Sequence, residues 1–73
     1  MEFKDFLIKE FGLSEKSATD YVGRFNGLVK RGIYNGEQAI TPRIRKEIES
    51  EFPNSKKHYI LAFERYVKYK QNT

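Results

Sequence analysis

Apolar residues recur at helical spacing in four segments of this chain. Phe3, Phe6, Leu7 and Phe11 form the first stripe, and Gly12 behind them has the place of a terminating residue, so the spacing predicts a helix over 2–11. Ser14 then stands as a side-chain cap with Glu15 in the first turn. Ala18, Tyr21, Val22, Phe25, Leu28 and Val29 follow at i, i+3, i+4, i+7, i+10 and i+11, the strongest periodicity in the chain. Lys30 and Arg31 suit the negative end of the helix dipole and Gly32 stops it, giving a second helix over 15–31. Ile33-Tyr34-Asn35-Gly36 reads as a turn between apolar anchors.

Thr41-Pro42 is a cap followed by proline at the first helical position. Ile44, Ile48 and Phe52 repeat every four residues until Pro53, predicting a helix over 42–52. Asn54-Ser55 caps a last helix over 56–70, with Tyr59, Ile60, Phe63, Tyr66 and Val67 on its inner side. No segment alternates with period two for long enough to make a strand. The reading is one all-α domain over 1–73, a compact four-helix bundle ending in the polar tail Gln71-Asn72-Thr73. Its predicted core is Phe6, Tyr21, Val22, Phe25, Leu28, Ile44, Ile48, Phe63 and Val67. Eleven aromatics exceed what so small a core needs, which leaves some tyrosines half exposed with the hydroxyl in water.

Charge adds direction to this picture. Residues 1–23 carry three lysines and five acids, a net of −2; residues 24–73 carry eleven bases and five acids, a net of +6. One acidic and one basic end point to a polyanion or to an acidic protein surface as partner. Bases also stand where a helix dipole disfavours them: Arg43 in the first turn of the third helix, Lys56 and Lys57 in that of the fourth. Free N–H groups at such ends, with cations nearby, suit phosphate. Gly23 and Gly27 lie mid-helix on one face, away from the apolar stripe. They allow either tight packing against the last helix or close approach of a phosphate backbone between Arg24, Lys30 and Arg31.

Little in the sequence suits catalysis. His58 is the single histidine and has no nucleophile partner; cysteine is absent, which removes disulfides and thiolate metal sites and fits a reducing cytoplasm. Glu47, Glu49 and Glu51 alternate along a helix and so do not share a metal-binding face. Glu47 and Glu51 beside Arg43 and Lys46 read as surface ion-pair partners. The glycines do not form a phosphate loop, and no apolar run is long enough for a membrane span. The expectation is a non-enzymatic, cytoplasmic monomer without cofactor or metal.

The segments LSEKSATDYVGRFNGLVKRGI and SKKHYILAFERYVKYK, with FKDFLIKEFG ahead of them, resemble the N-terminal core-binding domain of tyrosine recombinases (phage integrases). The resemblance implies a SAM-like orthogonal bundle that clamps duplex DNA through its second and fourth helices, in DNA recombination by a mobile element. Carried over by position, it points to Arg24, Lys30 and Arg31 on the second helix and to Lys56, Lys57, Arg65 and Lys68 on the fourth. Arg43 joins them from the helix-end argument. The family's catalytic domain has no counterpart here, and none of the five tyrosines stands for its nucleophile. The glutamates of the third helix weaken the positive surface there. The expected partner is duplex DNA contacted mainly through phosphates, beside a recombinase or other protein. The alternative is a SAM-like protein-interaction module: one that self-associates head to tail, acidic end to basic end, or a small phage-encoded regulator or inhibitor of a host nuclease.

Overall fold

The computed structural model describes residues 2–72 and contains four helices: α1 (Phe3–Phe11), α2 (Glu15–Lys30), α3 (Pro42–Glu51) and α4 (Lys56–Gln71). Each boundary lies within one residue of the periodicity reading. No strand occurs among the described residues, and no helix is long and apolar enough to cross a membrane. Of the predicted polar tail, Gln71 closes α4, Asn72 hydrogen-bonds back to the Lys68 carbonyl, and Thr73 lies outside the described residues.

Local chemistry explains the helix ends. Gly12 terminates α1 at φ 63° and donates to the Ile8 carbonyl. Ser14 caps α2 by accepting the Ser17 N–H at 3.1 Å, and Thr41 caps α3 by accepting the Ile44 N–H at 3.2 Å. The end of α2 is a Schellman arrangement. Gly32, at φ 71°, donates to Val29, and Ile33 donates to Leu28. Ile33 and Leu28 are both buried, supplying the apolar contact that accompanies this motif.

Ser55 departs from the expectation. Its side chain makes no cap hydrogen bond, because its backbone (ψ 22°) is not in the extended conformation from which a cap side chain reaches the first turn. Its carbonyl instead accepts from His58 and Tyr59. Ser14→Ala or Thr41→Ala is therefore expected to lower stability by about 1 kcal/mol. Ser55→Ala is expected to stay within about 0.5 kcal/mol of the parent. Chemical denaturation of the three variants checks the contrast.

The core is built on aromatic contacts between α1, α2 and α4. Phe25 of α2 stacks on Tyr66 of α4 with centroids 3.8 Å apart and meets Phe3 and Tyr34 edge-on. Tyr66 and Tyr69 extend the cluster to Phe3 and Phe6 on α1. Leu7, Leu28, Ile44, Ile48 and Phe63 are fully buried, and Ile33 nearly so. Tyr34 and Ile33 thus anchor the turn that the sequence placed there, with Asn35 closing it by donating to the Gly32 carbonyl.

Six of the nine predicted core residues are buried; Tyr21, Val22 and Val67 are only half buried. The apolar stripe of α2 is wider than the surface that α1 and α4 cover, so its edge stays in solvent. Val29, on the same stripe, is 47% exposed.

Gly23 is not a packing glycine: nothing lies within 4 Å of where its Cβ would be. At Gly27 a Cβ would make ordinary contact with Tyr59 at 3.7 Å and Arg31 at 3.8 Å. Tight packing against α4 is thus not what holds these glycines. Gly23→Ala is expected to raise stability by about 0.8–1 kcal/mol, the full helix-propensity difference, as read by urea denaturation.

Candidate nucleic-acid interface

Tyr21 of α2 lies beside Arg65 of α4, and Gly27 of α2 beside Tyr59 of α4. As α2 advances α4 recedes, so the two helices run antiparallel, with these two points about 9 Å apart along α2. The surface line between the helices carries a cationic cluster at each end.

At one end, cations and rings alternate. The Arg24 guanidinium is 5.6 Å from the Tyr21 ring centroid, and Arg65 is 5.0 Å from the same ring and 4.1 Å from that of Phe11. The Lys68 ammonium is 5.3 Å from the Phe11 ring. Arg65 Nη1 is sealed from solvent and has no hydrogen-bond partner. The ring faces offset its desolvation and hold the guanidinium in place. Among the described residues none of these three cations has a carboxylate within ion-pair distance, whereas Lys4, Arg31 and Arg43 each have at least one. Glu64, next in sequence to Arg65, instead lines a recess on the other side of α4 with Gln38 and Ile40.

At the other end, the last turns of α2 and α3 meet the first turn of α4. Phe52 and Tyr59 stack with centroids 3.6 Å apart, and the Arg31 guanidinium lies 4.6 Å from the Phe52 ring centroid. Arg31 also pairs with Glu51 at 3.3 Å. Lys30, Lys56, Lys57 and His58 are exposed around it. The first turn of α4 has neither an acid nor a side-chain cap, so Lys56 and Lys57 present their backbone N–H groups and their ammonium groups together.

Arg43 stands apart. It sits in the first turn of α3, about 12 Å along that helix from Glu51. It pairs with Glu37 at 3.0 Å and with Glu47, the partner its spacing predicted. Its unfavourable position against the helix dipole is therefore offset by two carboxylates of its own chain. Glu37 is held below the ordinary carboxylate range, chiefly by the Asn35 N–H it accepts at 2.7 Å and then by its own N–H. Partial burial opposes this, and Arg43 adds to it. The stabilisation linked to that shift is present above the unfolded-state value and fades as pH falls through the depressed one.

Of the eight cations named from sequence, Arg24, Arg31, Arg65 and Lys68 lie along the α2–α4 line and Lys30, Lys56 and Lys57 surround its Arg31 end. The rings beneath them were not legible as part of a site. Tyr21 reads as core from its spacing, and Phe11 reaches Arg65 only through the packing of α1. The i, i+3 spacing of Tyr21 and Arg24 was the one available signal. Comparison of the chain with protein-family models, with curated proteins and with solved structures gives no match.

Proposed function

We propose that this domain is a non-catalytic module that binds duplex DNA mainly through its phosphates, along the line between α2 and α4. The observation that carries this reading is that Arg24, Arg65 and Lys68 gather from two helices around the Tyr21 and Phe11 rings with no carboxylate of the described residues within ion-pair distance. The exposed lysines at the other end of the same line extend the positive surface. The resemblance to recombinase core-binding domains, which use the corresponding helices on DNA, supports the same placement and a SAM-like arrangement.

Phosphate contacts fix orientation without reading sequence. With about 3–5 of them, the expected dissociation constant is micromolar or weaker at physiological salt, with little sequence preference. Titration of the isotope-labelled protein with a mixed-sequence duplex at low salt, followed by NMR, tests the proposal. Amide shifts are expected along α2 and α4 and absent from the outer face of α1. No shifts with DNA, together with protein-concentration-dependent broadening in its absence, would replace DNA binding by self-association.

A further inference from the structure

We infer that Arg24, Arg65 and Lys68, held over the rings of Tyr21 and Phe11, form a discrete site for one phosphate group. The inference rests on the DNA reading for the source of that phosphate, a duplex backbone, but its phosphate chemistry stands on the geometry alone.

Adjacent cations share a ring. Arg24 and Arg65 both lie over Tyr21, and Arg65 and Lys68 both lie over Phe11. Arg24 is thus at most about 11 Å from Arg65, and Lys68, one turn from Arg65 on α4, at most about 9 Å from it. Three like charges on neighbouring rings repel one another, and among the described residues none of the three has a carboxylate within ion-pair distance. An oxyanion with several acceptor oxygens, small enough to meet all three, relieves that repulsion. A phosphate group fits this description.

Arg65 is the fixed member. Its Nη1 is closed to solvent, and contact with two aromatic faces restricts the planar guanidinium. Little side-chain entropy then remains to be lost when an oxyanion binds. Arg24 is half buried and Lys68 exposed, so both remain free to close on the ligand from either side. At the Lys30, Lys56 and Lys57 end, no ring holds the lysines; there the positive charge is diffuse.

The test uses inorganic phosphate as probe, with NMR observation of backbone amides and arginine side-chain N–H groups at constant ionic strength. Saturable shifts confined to residues around Arg24, Arg65 and Lys68 are expected. Arg65→Lys keeps the charge but loses the planar fork; it is expected to weaken phosphate binding about tenfold, the loss of one charge-assisted hydrogen bond. Arg24→Gln, which leaves Arg65 and its rings intact, is expected to weaken it comparably, and covers the case in which Arg65→Lys unfolds. Non-saturating shifts spread equally over all lysine-bearing ends, or unchanged affinity in Arg24→Gln, would overturn the proposal.

A second arm titrates the same duplex with and without 5′-terminal phosphates. Equal binding of both, with shifts at the Arg65 cluster, assigns the group to the backbone; binding only of the phosphorylated form assigns it to a strand end. Phosphate binding without duplex binding would sink the DNA reading and leave this site standing. Duplex binding that leaves the Arg65 cluster unshifted would do the reverse.

Discussion

Phe25→Ala is expected to unfold the domain. Its side chain is 5% exposed and stacked against Tyr66 at 3.8 Å, with Phe3 and Tyr34 packed on its edges. Removing it deletes the ring that joins α2 to α4 and leaves a cavity lined by residues of three elements. Phe→Ala changes at such sites cost about 3–5 kcal/mol, from lost transfer energy plus the cavity. Native domains hold only about 5–15 kcal/mol in all, and one of this size stands at the lower end. A far-UV circular dichroism melt is expected to show little or no cooperative transition in Phe25→Ala, whereas Phe25→Leu retains one. A parent-like melt for the alanine variant would place Phe25 outside the core.

The second large effect is on DNA affinity. Replacing Lys57 and Lys68 together by glutamine removes one cation from each end of the α2–α4 line, and neither has a carboxylate partner among the described residues. Each phosphate contact contributes about −0.9 to the slope of log affinity against log salt, so the slope is expected to flatten by about two, alike for all sequences. Lys30→Gln with Arg31→Gln is expected to do less, because Glu51 already competes for Arg31 at 3.3 Å. Glu51→Gln alone is expected to strengthen binding and steepen the slope. Lys4→Gln with Lys9→Gln is expected to change nothing: Lys4 is engaged by Glu15 at 3.1 Å, on the acidic part of the chain. Fluorescence anisotropy across a salt series reads all four. A slope unaltered in the Lys57/Lys68 variant would remove both residues from the interface.

Local signals in the sequence account for the helices and two of the caps. Ser14, Thr41-Pro42, Gly12 and Gly32 act within one turn of themselves, so a short window contains their whole physics. Ser55 shows the limit: the residue type was right, but its backbone conformation is set by how Pro53 and Asn54 turn the chain. Tyr21, Val22 and Val29 show another. Spacing gives a face, while how much of that face is covered depends on the width of the partner helices.

The candidate site was legible as a set of cations and illegible as a geometry. Arg43 with Glu47 is an i, i+4 pair and could be read directly; Arg43 with Glu37 and Arg31 with Glu51 depend on how the 31–41 connection brings α3 back. The convergence of Arg24, Arg65 and Lys68 on Phe11 and Tyr21 needs three helices to be packed first.

α3 packs mainly on α4, through Ile44 and Ile48 and the Phe52–Tyr59 stack beyond its end, and an eleven-residue irregular segment separates it from α2. Such a unit can open while the aromatic cluster of α1, α2 and α4 stays closed, so its free energy of opening is lower than that of the whole fold. Its amides are expected to exchange with solvent deuterium faster than those of α2, through a sub-global opening. Each opening takes Phe52 off Tyr59 and Glu51 off Arg31 together, which releases Arg31 from its competitor. A polyanion that holds Arg31 would therefore favour the opened unit, and exchange in α3 would speed up on binding while exchange in α2 slows.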